Sequence, residues 1–210
     1  MELFSAHALH HHPDHDELIH TLRHYHADGG YVRDVESIAK QAITYLERLK
    51  AGRGLRAIVL DIDETALSNS WQHLVAPSNA FNARSWAQWI AEAKAPVIQP
   101  TLEVYRTARA AGLEVFFVSG RPPRHVGATK RNLKRAGYDA WSGIFLEPRM
   151  KGGETLSIFP EAAAYKTAVR WSLVERGYRV VLNMGDQTSD LSGGYADKTF
   201  KLPNPFYTII

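Results

Sequence analysis

LRAIVLDIDETALSN, residues 55–69, sets an apolar run directly against two aspartates and a glutamate. The run is too short for a helix, lies between Gly54 and the acids, and reads as a strand buried on both faces. Strands of that kind belong to parallel sheets covered by helices. Asp61 then falls at the C-terminal end of the strand. Asp63 leans to the same side, because side chains alternate along extended backbone and Ile62 turns away.

Working outward, residues 100–207 repeat one theme. A helix over 101–112 precedes a strand over 113–120, a helix over 124–136 a strand over 141–147, and a helix over 162–176 a strand over 178–186. A short strand near 198–202 ends at Pro203-Asn204-Pro205. Helices alternating with apolar strands predict an α/β fold, a parallel sheet with helices on both faces. Upstream, Leu18, Ile19, Leu22 and Tyr25 recur at helical spacing over 14–25, before Asp28-Gly29-Gly30 breaks the pattern. A second helix runs over 31–50, with Val32, Val35, Ala39, Ala42, Ile43 and Leu46 on one face. Residues 68–100 are rich in aromatics, with one helix expected over 85–94, and read as an insertion over the active face. The chain thus divides into a His-rich segment, 1–30, and one domain, 31–210, carrying the insertion.

Composition narrows the class. With 45% hydrophobic and 22% charged residues in 210, the chain is an ordinary globular protein with room for one sizeable core. The net charge of +3 is spread along the chain without a basic block, so a nucleic-acid polymer is not an expected partner. There is no cysteine, which excludes disulfides and thiolate metal sites. No run is apolar for long enough to span a bilayer, and no signal peptide is legible; the compartment stays open.

In an open parallel sheet, ligands bind beyond the carboxyl ends of the strands. Three strands end in polar residues there: Asp61 with Asp63, Ser119 with Gly120, and Asp186 with Asp190. Lys166 lies near the start of the helix between the last two. Taken singly each has a plainer explanation, since D-x-D often starts a helix, Ser-Gly is usually a turn, and GDQTSD is consistent with Asp186 capping a helix. Their succession at consecutive strand ends is what marks a site.

VLDIDETALSN, VFFVSGRP, Lys166 in AAAYKTAVR, and NMGDQTSDLSGG followed by FKLPNPFY together resemble the four motifs of the haloacid dehalogenase (HAD) superfamily. The resemblance is strongest to its subfamily IIIB acid phosphatases, including class B bacterial enzymes and plant vegetative storage proteins, and covers about 57–207. It implies a Rossmann-like three-layer sandwich and a magnesium-dependent phosphomonoesterase. By that resemblance Asp61 attacks phosphorus, forming an aspartyl-phosphate, and Asp63 acts as general acid and then general base. The implied magnesium ligands are Asp61, the backbone carbonyl of Asp63, and Asp186, with Asp190 behind them or as an occasional ligand, orienting waters or Lys166. Ser119, the Gly120 amide and Lys166 would hold the phosphoryl group, and Arg121 and Arg124 are further candidates to contact it.

Charge counting agrees with a cation. Asp61, Asp63, Asp186 and Asp190 total about four negative charges, and Lys166 offsets one. A dianionic ester would be repelled unless a hard, oxygen-seeking ion such as Mg2+ joined them.

Trp71, Phe81, Trp86 and Trp89 lie in the insertion, where stacked rings would hold a nucleobase or aryl group, although Trp86 and Trp89, three apart, also suit simple packing of a helix. The N-terminal histidines could ligate zinc or nickel, but a polar terminus accounts for them as well. Three other activities fit parts of the pattern. They are a storage or binding protein on the same scaffold, transfer of the phosphoryl group to an alcohol, and a D-x-D glycosyltransferase, which would leave Ser119, Lys166 and GDQTSD without roles.

Keeping an ordinary aspartic acid such as Asp63 protonated at neutral pH costs about 4 kcal/mol, so either its surroundings raise its pKa or the enzyme works in acid. The expected rate optimum is about pH 5 to 6. A pH–rate profile measured on a phosphate monoester and still rising above about pH 8 would contradict this.

Overall fold

β1 (Leu55–Leu60) is the middle strand of a five-stranded sheet. β2 (Glu114–Ser119) and β4 (Tyr178–Gly185) flank it, with β3 (Gly143–Leu146) outside β2 and β5 (Thr199–Lys201) outside β4. Every pairing is parallel, and Leu60 lies in register with Phe117 on one side and Met184 on the other. All strands therefore present their carboxyl ends at one edge. The computed structural model describes residues 13–50, 52–74, 83–148 and 162–207.

Alternation along the central strands sorts the core into two layers. Ile58, Leu60, Val115 and Phe117 face α2 (Gly30–Glu47) and α5 (Gln99–Ala110), joined by Leu133 of α6 (Val126–Arg135). Ala57, Val59, Phe116, Val118 and Val180 face the other way, against Tyr165, Val169 and Leu173 of α7 (Ala162–Glu175). The result is the expected α/β three-layer arrangement, helices over both faces of a parallel sheet. Among the described residues, no helix is long and apolar enough to cross a membrane.

The N-terminal helix, α1 (Pro13–Ala27), ends at Asp28-Gly29-Gly30 as the sequence predicts. Gly29 adopts φ 78°, a conformation that costs a side-chain-bearing residue, and the Asp28 carboxylate accepts the Gly30 amide at 2.7 Å. The docking of α1 onto the rest includes Arg23, whose guanidinium donates twice to the Leu74 carbonyl at 3.0 and 2.8 Å. His26 stacks on Tyr31 with ring centroids 5.6 Å apart.

Three details differ from the sequence expectations. The helix expected over 124–136 opens with a separate 3-10 turn, Pro123–His125, because the two prolines impose an extended entry at Pro122. Residues 68–100, expected to hold one helix, hold α3 (Ser70–Leu74) as well as α4 (Ala83–Glu92). A one-turn helix, α8 (Thr188–Leu191), follows β4, with a capping box between Gln187 and Asp190. Gln187, and not Asp186, is its capping residue.

Phe117 is fully buried, with its ring centroid 5.4 Å from that of Tyr138 and 6.1 Å from that of Trp141. Phe117→Ala is expected to cost about 3–5 kcal/mol in urea unfolding. Leu55→Ala, at a side chain 51% exposed on the same sheet, should stay within about 0.5 kcal/mol.

Candidate active site

The sheet ladder fixes the site before any side chain does. The Asp61 amide donates to the Met184 carbonyl at 3.0 Å, so the chain leaves β1 directly beside the end of β4, two residues before Asp186. Gly185 makes the next step possible: a Cβ there would lie 2.3 Å from the Cβ of Asp190, so only glycine lets α8 fold back onto the strand end. Asp61, Asp186 and Asp190 consequently gather, each with a carboxylate oxygen within 4.8 Å of the others. All three are buried.

Lys166, itself buried on α7, reaches this cluster from the face of the sheet that Val59 and Val118 also line. Its ammonium donates to Asp61 Oδ1 at 2.7 Å and forms an ion pair with Asp190 Oδ1. Burial alone would lower the lysine's pKa, but Asp190 and Asp61 outweigh it and raise it, so the lysine stays charged. Burial pushes the Asp61 carboxyl well above its usual range, Lys166 opposes this, and Asp190 and Asp186 add to the rise.

Asp186 is held by three donors. Thr65 donates to Oδ1 at 3.1 Å, while the Gln187 and Asn204 amides donate to Oδ2 at 2.6 and 2.7 Å. The Asp190 carboxylate accepts the Gln187 backbone amide at 2.7 Å, and its carbonyl accepts Arg170 Nη1 at 2.6 Å and Asn183 Nδ2 at 2.9 Å. Asp190 thus stands among the clustered acids and pairs with Lys166.

Asp63 goes elsewhere. Its carboxylate accepts Arg121 Nη2 at 2.6 Å and Arg121 Nε at 2.9 Å, with Asn69 Nδ2 at 3.0 Å. Burial would raise its pKa, but the charge and hydrogen bonds of Arg121 outweigh burial and hold the carboxyl below the usual range. Arg121 is buried and gives Nη1 to Thr129 at 3.2 Å, so its fork is spent on Asp63 and the start of α6. Ser119 ends β2, one strand over from Asp61, and its Oγ accepts the Arg121 amide at 3.1 Å. Gly120 follows it. Arg124 is exposed in the 3-10 turn, Trp71 lies on α3, and Phe81 falls outside the described residues.

Several polar groups here carry no obvious signal in the sequence. Glu64 is fully buried with φ 55°, a left-handed backbone that costs a non-glycine residue about 1–2 kcal/mol. The turn is closed by the Glu64 amide on the Leu67 carbonyl at 2.9 Å and by a carboxylate that accepts the Asn69 amide at 2.6 Å and the Tyr207 hydroxyl at 2.9 Å. Asn204 was approachable only through its odd setting between two prolines, and Thr65 only as part of the first motif.

The donor set suits a hard cation. Every grouped ligand atom is a carboxylate oxygen, and Lys166 occupies only Oδ1 of Asp61. With Asp63 balanced by Arg121, three acids face one ammonium, an excess of about two negative charges that a divalent ion would neutralise.

Residues 14–210 match the family described as HAD superfamily, subfamily IIIB (Acid phosphatase). The chain belongs to that subfamily of acid phosphatases. It is 33% identical over 198 residues to the stem 28 kDa glycoprotein of Glycine max, covering 92% of this chain and 76% of that protein. It is 31% identical over 199 residues to acid phosphatase 1 of Solanum lycopersicum, covering 93% and 76%. Among solved structures, the class C acid phosphatase from Bacillus anthracis shares the subfamily IIIB chain's fold, with a TM-score of 0.74 at 23% identity over 92% of this chain and 86% of that one.

Without a cation, burial raises Asp186 to about 7, Asp190 adding to the rise and the Asn204 hydrogen bond opposing it. A folded-state pKa above the unfolded value makes the cation-free fold lose stability as pH climbs from about 4 to about 7. Cation binding needs the deprotonated acid, so a divalent ion should raise the Tm more at about pH 8 than at about pH 5. Equal shifts in thermal unfolding at both values would remove Asp186 from the binding set.

Proposed function

We propose that this acid phosphatase hydrolyses small phosphate monoesters with magnesium as its cation and Asp61 as its nucleophile. The observation that carries the reading is the contrast between two aspartates two residues apart. Asp61 is buried against Lys166 and two further acids, whereas Asp63 is gripped by Arg121. In this reading the first bonds to phosphorus and the second moves a proton.

In this scheme an Asp61 carboxylate oxygen attacks phosphorus, and the bond from phosphorus to the ester oxygen breaks. The leaving alkoxide takes the proton of Asp63. Water then attacks the aspartyl-phosphate, Asp63 takes a proton from it, and inorganic phosphate departs with Asp61 restored. Lys166 balances charge on Asp61 and on the phosphoryl group, while Ser119 and the Gly120 amide receive its oxygens. Asp61, the Asp63 backbone carbonyl and Asp186 would hold the ion, with Asp190 beside them. When bound, it neutralises the charge that would otherwise repel the substrate dianion.

Arg121 has a different place in this scheme from that expected of a phosphate contact. Its buried guanidinium keeps Asp63 ionised to lower pH than usual, so the protonated donor accumulates only in acid. Of the two routes open to Asp63, an acidic working range is the one this pairing supports.

Phosphate release from p-nitrophenyl phosphate tests the whole reading. EDTA should abolish turnover and Mg2+ restore it, and Asp61→Asn should lower kcat by about 1,000-fold or more. Undiminished turnover in Asp61→Asn would overturn the nucleophile assignment, and no turnover at all in the metal-loaded wild type would return the chain to a storage role.

A further inference from the structure

The turn after β1 carries buried polar side chains that the reaction scheme leaves unused. Asn69 is fully buried, and every polar atom of its side chain is engaged. Its Nδ2 donates to Asp63 Oδ1 and to Glu64 Oε2, each at 3.0 Å, and its Oδ1 accepts the indole N–H of Trp89 at 2.7 Å. Trp89 belongs to α4, the helix of the insertion, and its ring packs against the main core.

These partners fix the amide in one orientation. An indole N–H can only donate, and ionised carboxylates only accept, so the oxygen must face Trp89 and the NH2 the two acids. Glu64 locks the same residue from behind by accepting its backbone amide at 2.6 Å. Asn69 is therefore a rigid strut between the insertion helix and Asp63.

The strut meets a particular oxygen. Asp63 Oδ1 accepts Asn69 Nδ2 at 3.0 Å and Arg121 Nη2 and Nε at 2.6 and 3.1 Å, while among the described residues Oδ2 accepts Arg121 Nε alone, at 2.9 Å. An oxygen surrounded by donors is a poor seat for a proton, so the transferable proton belongs on Oδ2. Arg121 already favours Oδ1, giving it both Nη2 and a share of Nε, and the donor from Asn69 reinforces that choice.

We propose that Asn69 is a positioning residue that orients Asp63 for proton transfer, and that Trp89 holds Asn69 in place, so that the insertion contributes to the rate of ester cleavage through this hydrogen-bond strut. The proposal rests on the reading of Asp63 as proton donor. It gives α4 a role distinct from substrate contact.

The leaving group separates this role from a structural one. A p-nitrophenolate is weakly basic and departs with little help from a proton, whereas an alkoxide needs one, so misplacing the donor penalises alkyl esters selectively. The experiment compares kcat/KM, which reports ester cleavage, for p-nitrophenyl phosphate and ethyl phosphate in the magnesium-loaded full chain. Asn69→Ala should lose about 10- to 100-fold on ethyl phosphate and less than about 3-fold on the aryl ester. Trp89→Phe, which keeps an aromatic ring in the core while removing the N–H and the smaller ring of the indole, should lose in the same direction by a smaller factor, and it carries the test should Asn69→Ala fail to fold. Asp63→Asn is the control for the underlying reading. If it slows both esters equally, Asp63 is not the donor and the proposal falls with it; if it discriminates while Asn69→Ala and Trp89→Phe do not, the strut alone is overturned.

Discussion

Three buried carboxylates around one ammonium constrain everything else at this sheet edge. Unpaired charges in a protein interior are costly, and like charges a few ångströms apart repel strongly there. Asp61, Asp186 and Asp190 nevertheless share such a space, because the parallel pairing of β1 with β4 brings their two chain segments to the same point. Lys166 arrives from α7, and neutral donors from Thr65, Gln187 and Asn204 absorb much of the remaining field. The arrangement gains little for stability. It makes sense as a place kept ready for positive charge.

The turn after β1 solves a second electrostatic problem, that of keeping two neighbouring aspartates chemically distinct. Asp61 enters an acidic, desolvated environment and Asp63 meets a bidentate guanidinium, so their proton affinities are driven in opposite directions. Ile62 anchors the separation from below, as a fully buried apolar side chain between them. Glu64, in its left-handed conformation, then turns the backbone so that Asn69 comes back to Asp63. Paired titratable groups with divergent environments are the usual signature of divided labour in catalysis.

Most of the architecture was legible because it rests on periodicity. The apolar runs of β1, β2 and β4 and the helical spacing of α2 and α5 announce themselves, and parallel pairing follows from the alternation of helix and strand. α8 and α3 were not legible, since helices of one turn carry no period. The gathering of Asp61, Lys166, Asp186 and Asp190 could be anticipated from their positions at strand ends and from family resemblance. The partner of Arg121 could not: whether an arginine after Ser-Gly reaches outward to a ligand or inward to Asp63 depends on side-chain direction, which the paired prolines that follow do not reveal. Asn69 and Glu64 stood in the stretch that decides the fold, yet their role depends on Trp89 and Tyr207, which come from distant parts of the chain.

Those separations have a kinetic side. Lys166 and Asp61 are 105 residues apart, Thr65 and Asp186 121, and Glu64 and Tyr207 143. Contacts of such length are closed late, because the chain must surrender the entropy of very large loops before they form. No fragment that collapses early can hold even a rough copy of this acid cluster. Recovered turnover after dilution from denaturant is therefore a stringent reporter of the completed tertiary structure, and should lag behind the return of helical circular dichroism.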